Sequence, residues 1–240
     1  MGPQRFAHSH HQILLTDKKI HYRCYHFLEE SMARVGASHG PDWRDGFLFV
    51  GNNLALDFLN THPIQNGESL ELLPDFSALL RWFRAAGLLG SRQVDHLQQR
   101  WGGSSRARLV TGAMRELRER IREQLLVWEH TGTVDRGTVD QLNRLMSEHP
   151  MLMKLQGPTA VLESWFAARQ PEDLFAPLAQ HAAMLFTNLD HNRVRKCGQC
   201  VLHFYDSSKK GARRWCSMQL CGNRRKVAAY AARQRAGAPP

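Results

Sequence analysis

Four cysteines near the carboxyl end of the chain have the spacing of a metal site. Cys197, Cys200, Cys216 and Cys221 form a C-x2-C-x15-C-x4-C pattern. The short spacers let each pair of cysteines chelate from one turn, while the longer insert folds around the metal. Four thiolates suit tetrahedral Zn2+ and leave no open coordination position, so the pattern predicts one structural zinc ion. Iron–sulfur ligation is the main alternative.

The basic residues of the chain are concentrated around these cysteines. Residues 192–240 contain 12 of the 32 Lys and Arg residues and a single acidic residue, Asp206, whereas the first 191 residues are close to neutral. A solvated face without a partner normally mixes its signs. The pattern therefore indicates a polyanionic partner, and nucleic acid is favoured over an anionic membrane or an acidic protein.

Eight residues beside the cysteines are candidates for contact with double-stranded DNA. Cations on the loop between the two cysteine pairs suit phosphates, and a helix predicted to begin near Asn223 brings further cations. Asn pairs bidentately with adenine and Arg with guanine, so Asn223 and Arg224 are candidates for base readout, although Asn223 is equally suited to capping its helix. The full set is Lys209, Lys210, Arg213, Arg214, Asn223, Arg224, Arg225 and Lys226. One small module contributes limited affinity, so we expect a homodimer or a second contact.

A second polar set lies far upstream, on or beside a short and otherwise apolar helix. Asp57, Asn60 and His62 form a candidate pocket for a small-molecule effector. The alternative, which the residue types favour, is that they are buried polar groups that cap or bridge neighbouring helices. The body contains no Gly-rich phosphate loop, no H-E-x-x-H and no G-x-S-x-G. We therefore predict no catalytic residues and no enzymatic activity.

Hydrophobic periodicity predicts that the body upstream of the cysteines is mostly helical. The clearest helix spans 105–129, where apolar residues recur at helical spacing. Residues 151–166 are predicted to form two short strands that turn at Gly157 and Pro158. Further helices are predicted at 54–60, 76–87, 91–101, 135–145 and 171–189.

These patterns divide the chain into three parts. Residues 1–42 form a polar, His-rich leader that we expect to be disordered, residues 43–191 a helical domain, and residues 192–240 a basic zinc finger. The predicted fold is mainly α, with a small β-hairpin in the helical domain and a four-cysteine finger of treble-clef-like or ribbon-like type. No apolar run reaches membrane-spanning length and no secretory segment is evident, so we expect a reduced, cytoplasmic setting.

Two motifs resemble known families. Cys221-Gly-Asn-Arg224, preceded by Arg214-Trp-Cys-Ser-Met218, resembles the CGNR zinc finger, as does Cys197-x2-Cys200 followed by Phe204-Tyr-Asp-x-Ser208. The stretch Gly51-Asn-Asn-Leu-Ala-Leu-Asp-Phe-Leu-Asn-Thr61 resembles the opening motif of the ABATE domain. The resemblance covers residues 47 to about 233.

The ABATE domain accompanies the CGNR finger in bacterial proteins described as proposed stress-induced transcriptional regulators. The resemblance implies a helical N-terminal domain of undefined role and a C-terminal finger that is thought to bind DNA. We therefore expect a DNA-binding transcriptional regulator that responds to an effector through its helical domain. The alternative is an RNA-binding or nucleic-acid-processing factor whose zinc module grips its substrate.

Overall fold

The structure, a computed structural model, describes residues 42–65, 68–158, 160–200 and 202–235. Within these residues the chain forms seven α-helices and four two-stranded antiparallel hairpins, so the expected mainly α fold is confirmed. The leader predicted at 1–42 lies outside the described residues, apart from Asp42. Only the backbone is described at Ile64, Gln65, Leu220, Arg224, Arg225 and Arg235.

The helices and strands follow one another along the chain with short connections. The helices are α1 Leu54–Leu59, α2 Phe76–Ala85, α3 Ser91–Trp101, α4 Ser105–Thr131, α5 Arg136–Glu148, α6 Phe175–Asn188 and α7 Asn223–Arg235. The hairpins pair β1 Trp43–Arg44 with β2 Phe47–Leu48, β3 Ile64–Gln65 with β4 Glu68–Ser69, β5 Leu152–Gln156 with β6 Val161–Trp165, and β7 Val194–Lys196 with β8 His203–Tyr205.

Each predicted body helix is present, and short polar side chains mark where several of them begin. Asn53 Oδ1 accepts hydrogen bonds from the N–H groups of Ala55 and Leu56, at 2.9 and 3.3 Å, at the start of α1. Asp135 Oδ1 accepts from the Thr138 N–H at 3.0 Å at the start of α5. Such caps satisfy N–H groups that have no partner inside the helix. These two caps explain why α1 and α5 begin where they do.

Helix α1 lies at the centre of the body. All six of its residues are buried, and it packs against α4, α6 and strand β8. The predicted apolar stripe of α4 is also buried: Val110, Met114, Leu117, Ile121, Leu125 and Trp128. Because α1 is enclosed by these neighbours, its polar side chains meet other parts of the protein.

The segment that precedes α1 connects the body to the finger. Hairpin β1–β2 places Phe47 in the body core, whereas Val50, three residues later, packs among the cysteines. At the other end of the chain, the finger hairpin β7–β8 places Val194 in the body core. The segment 47–50 therefore contributes to both cores, and the hairpin of the finger contributes a residue to the core of the body.

The length and hydropathy of the described helices bear on whether one of them can span a membrane. Among the described residues, no helix is both long and apolar enough to cross a lipid bilayer. The longest, α4, carries many charged side chains between its apolar positions. This finding agrees with the lack of a membrane-spanning run in the sequence.

Candidate metal centre and nucleic-acid interface

The four predicted ligands come together at one point. Cys197, Cys200, Cys216 and Cys221 have Sγ atoms that all lie within 4.8 Å of one another. The Sγ of Cys216 lies 3.4 Å from that of Cys200 and 3.6 Å from that of Cys221. Four sulfurs in tetrahedral contact with zinc at about 2.3 Å would be about 3.8 Å apart, so the cluster has the dimensions of a zinc site. The predicted single zinc site is confirmed.

Backbone hydrogen bonds explain why these spacings fit. The Cys197 N–H donates to Leu202 O at 2.8 Å and closes the first turn. In the second pair, the N–H groups of Cys221 and Gly222 both donate to Ser217 O at 3.0 Å. The segment Met218–Gly222 is thus a π-helical turn, which takes up the additional residues between Cys216 and Cys221. Helix α7 begins immediately after this turn.

The four sulfurs are close enough to perturb one another's ionisation. Hydrogen bonding to Cys200, together with burial, raises the pKa of Cys216 above its usual range. Burial raises the pKa of Cys221 to about 12. Crowded thiolates repel one another, and a bound zinc ion offsets that repulsion while keeping the ligands deprotonated. Zinc therefore contributes directly to the stability of this module.

The single acidic residue of the finger is part of its internal scaffold. Asp206 is fully buried and accepts hydrogen bonds from the N–H groups of Ser208 and Arg213 at 2.9 and 2.7 Å. Burial raises the pKa of this carboxyl, but the hydrogen bonds from Ser208 and Arg213 outweigh it and hold the pKa below its usual range. Asp206 therefore stabilises the loop between the cysteine pairs, and its carboxylate is not part of the solvent-facing surface.

Arg213, a predicted DNA contact, is largely engaged inside the finger. Its Nε donates to Trp215 O at 2.8 Å, and its Nη2 donates to Cys216 O. The guanidinium lies 4.7 Å from the centre of the Phe204 ring. A phosphate contact by Arg213 stays a prediction, but the structure gives this side chain a role in positioning the third zinc ligand.

Two further arginines, which were not among the predicted site residues, hold the same loop: Arg195 lies on strand β7, and Arg193 directly precedes it. Arg193 Nη1 donates to Asp206 O and Ser208 O at 3.2 and 2.9 Å. Arg195 Nη2 donates to Gly211 O at 3.1 Å. Their position in a basic stretch was visible in the sequence, but no local spacing indicates which carbonyl groups they meet.

Five of the remaining predicted DNA contacts lie at the surface. Lys209, Lys210 and Arg214 are exposed on the loop, and the Arg214 guanidinium lies 5.7 Å from the centre of the Trp215 ring. Asn223 is the first residue of α7, and both it and Lys226 are exposed. The side chains of Arg224 and Arg225 lie outside the described part of the chain. The exposed basic loop thus directly precedes the second pair of zinc ligands in the chain, and the helix begins directly after it.

The upstream polar set does not converge on one point. Asp57 Oδ1 accepts from the Gly51 N–H at 2.7 Å, and burial raises the pKa of this carboxyl to about 7. His62 Nδ1 lies 3.1 Å from Glu119 Oε1 on α4. Asn60 instead faces the finger, so each of the three side chains has a different protein partner. The effector pocket stays a prediction, and the bridging alternative has direct structural support.

Asn60 connects the body to the finger through a pair of buried hydrogen bonds. Its Nδ2 donates to His203 O at 2.9 Å, and its Oδ1 accepts from the His203 N–H at 3.0 Å. Both groups belong to strand β8, two residues before Tyr205. A buried side-chain amide that matches a backbone N–H and C=O in this way fixes the strand against α1.

Residues just before α1 continue this connection. The Tyr205 N–H donates to Gly51 O at 2.8 Å, and Asn52 Nδ2 donates to Tyr205 O at 3.0 Å. Asn52 has φ 54°, a left-handed conformation that asparagine tolerates better than most residues. A Cβ atom at Gly51 would lie 2.8 Å from Leu56 Cβ, so glycine is required for this close approach.

The segment also contributes directly to the metal module. Val50 is buried in a small cluster with Leu202, Phe204 and three of the zinc ligands. Ser217, which directly follows the third ligand, donates its hydroxyl to the Asp42 carboxylate. The finger is therefore completed by residues that precede α1, a role that no motif in the sequence indicated.

Comparisons with known proteins agree with this architecture. The family model ABATE, described as "Putative stress-induced transcription regulator", matches residues 52–188. The model of the CGNR zinc finger matches residues 193–234. No curated protein matches the sequence significantly. Since the first match alone covers more than half of the chain, the protein belongs to the ABATE family and carries a C-terminal CGNR zinc finger.

Proposed function

We propose that this protein is a transcriptional regulator that binds double-stranded DNA through its zinc finger, and that its role is regulatory rather than catalytic. The observation that carries the proposal is the exposed basic surface that the zinc site holds together. Lys209, Lys210 and Arg214 precede the second pair of zinc ligands in the chain, Asn223 and Lys226 follow it, and all five side chains are exposed. Such a surface suits the phosphates of a duplex and matches the description of the family.

The finger presents positive charge almost without interruption. Residues 192–240 contain one acidic residue, Asp206, and its carboxylate is buried and hydrogen-bonded inside the module. No carboxylate side chain of this segment is therefore available at the surface to repel a phosphate. This arrangement favours a polyanion over a partner of mixed charge, which would be met by acidic as well as basic side chains.

Helix α7 has the properties of an element that enters a groove. Its described side chains are exposed or half-exposed, including Val227 at 68% and Tyr230 at 56%. The helix packs mainly against the preceding turn, Met218–Gly222, so most of its circumference is accessible. We infer that Asn223 and Arg224 reach base edges from its first turn while the loop cations hold the phosphates.

The body would influence DNA binding through its contacts with the finger. Asn60 holds His203 on β8, and Val50 packs among the zinc ligands. An effector that binds near Asp57, Asn60 or His62 would change these contacts and thereby the position of the finger. Under this proposal, effector binding to the helical domain of this cytoplasmic regulator changes the position of its DNA-binding surface.

The test is a selection from a random-sequence duplex pool with the zinc-loaded full-length protein. We expect a defined motif and an affinity that falls steeply as salt rises, because bound cations displace condensed counterions. Single-stranded RNA serves as the competitor. If no motif is selected, or if RNA is bound more tightly than duplex DNA, the regulator proposal fails and the RNA-associated alternative replaces it.

A pair of matched substitutions locates the surface. Arg214→Ala should weaken all duplexes and lower the salt slope by about one, as expected for the loss of one phosphate contact. Arg136→Ala removes the same charge from an exposed position on α5 and serves as the control. Equal effects of the two substitutions would mean that overall charge, rather than the finger surface, determines binding.

A further inference from the structure

Hairpin β5–β6, within the described part of the chain, carries exposed apolar side chains on both of its faces. Leu152 and Trp165, a cross-strand pair on one face, are exposed at 40% and 42%, and Met153 and Leu155 on the opposite face are exposed at 47% and 69%. None of the described side chains of β5 and β6 belongs to the main core or is packed against it. A two-stranded hairpin is marginally stable in water by itself, and clustered exposed apolar residues mark interaction sites. Within residues 42–235, as far as the structure describes them, neither core covers the surface of this hairpin.

The register of the strands defines one face of this hairpin. Leu152 pairs with Trp165, Lys154 with Glu163, and Gln156 with Val161. Because side chains alternate along a strand, these three pairs project from the same face. The Lys154 ammonium lies 5.8 Å from the centre of the Trp165 ring, and Gln156 donates a hydrogen bond to Glu163.

The charges on this face are self-complementary. The face carries one cation and one anion, side by side at the middle pair, with an apolar pair at one end. A polyanion would be repelled by Glu163 as much as it is attracted by Lys154. A second copy of the same face, in contrast, offers an anion for the cation and a cation for the anion.

We propose that this face of β5–β6 is an interface between two copies of the chain. A two-fold axis parallel to the strands places β5 of each copy over β6 of the other. Lys154 then meets Glu163 of the second copy, and Leu152 meets Trp165 of the second copy. An axis perpendicular to the strands would instead oppose like charges, so the charge pattern selects one arrangement.

The test uses charge reversal in the zinc-loaded full-length protein without nucleic acid, and the readout is molar mass by sedimentation equilibrium. Wild-type protein should show a dimer of twice the monomer mass. Lys154→Glu makes the face doubly negative and Glu163→Lys makes it doubly positive, so each variant alone should lose the dimer. An equimolar mixture of the two variants should restore it as a heterodimer, because opposite faces then meet.

The mixture distinguishes the loss of interface contacts from the unfolding of the hairpin, because mixing two variants does not repair a disrupted hairpin. Leu155→Ser on the opposite face serves as the control and should leave the dimer intact. A monomeric wild type, a mixture that stays monomeric, or a dimer lost only on Leu155→Ser would overturn the proposal. Since DNA is absent from the measurement, its outcome does not depend on the proposed function.

Discussion

The helical body and the zinc finger reach a fixed structure by different means. Among the described residues, the body core contains 33 buried apolar residues drawn from many elements, including Leu56, Trp82 and Trp128. The core of the finger contains six, and three of these are the zinc ligands Cys197, Cys216 and Cys221. A core of that size supplies too little hydrophobic stabilisation, so metal ligation has to supply much of the rest.

The comparison also shows that neither region is structurally self-contained. Val50, from the segment before α1, lies in the core of the finger, and Val194, from the finger hairpin, lies in the core of the body. Asn60 and Gly51 add hydrogen bonds across the same boundary. The small region therefore gains stability from the large one, and the large one in turn fixes the orientation of the basic surface.

The largest effect is expected when the zinc site is removed. Cys216→Ser should release the metal and unfold the finger while most of the helical body is retained, because the body has its own apolar core. Zinc content and far-ultraviolet circular dichroism measure the two parts separately. Ser207→Ala, at an exposed position of the same module, should leave both unchanged. Unchanged zinc content in Cys216→Ser would contradict the ligand assignment.

The next effect concerns the boundary between the two regions. Asn60→Ala leaves two buried backbone groups of His203 without partners, at about 1 to 3 kcal/mol each, so it should destabilise the protein by about 2 to 6 kcal/mol. Denaturant unfolding measures this loss. Asn143→Ala, at an exposed position on α5, is the control and should change stability little. Equal stability of the two variants would show that the finger is not held by Asn60.

The buried carboxyl of Asp57 should make stability depend on pH. Burial raises its pKa from 3.8 to about 7, so the folded state holds this proton more tightly than the unfolded state. The stabilisation is present below pH 3.8 and is lost as the pH rises to about 7. At about 1.4 kcal/mol per pKa unit, the loss is up to about 4 kcal/mol.

Asp57→Asn retains an oxygen that can accept the Gly51 N–H but does not titrate. The difference in unfolding free energy between wild type and Asp57→Asn should therefore increasingly favour the variant as the pH rises from about 4 to 7. Other carboxyl groups have their own pH dependence, but it is common to both proteins and cancels. A difference that is constant with pH would contradict the raised pKa.

The smallest effect distinguishes two neighbouring arginines of the finger. Arg213→Ala removes charged hydrogen bonds to Trp215 O and Cys216 O and should destabilise the finger by about 1.5 to 3 kcal/mol. Arg214→Ala, at an exposed position, should leave the midpoint of zinc release by a chelator unchanged. If zinc is released at the same chelator concentration from both variants, Arg213 does not stabilise the turn that carries Cys216.

Much of the fold follows from short-range patterns in the sequence. The helices over 54–60 and 135–145, the apolar stripe of α4 and the β5–β6 hairpin were each predicted from a few neighbouring residues. These predictions succeed because helix caps, helical periodicity and turn residues act within about one or two turns of chain. The zinc ligands could also be predicted from local spacing, because the coordination geometry of zinc limits the sequence spacings at which four cysteines can bind one ion.

The sequence by itself thus determined the helices, the zinc ligands and the location of the basic charge. Only the tertiary structure decided which polar side chains face outward and which hold the two regions together. Asn60 meets His203 across 143 positions of the chain, and Asp42 meets Ser217 across 175. Arg213 and Arg214 are indistinguishable by type, yet the first is turned inward onto carbonyl groups and the second is exposed. Such contacts depend on how distant segments pack, and no local spacing encodes that packing.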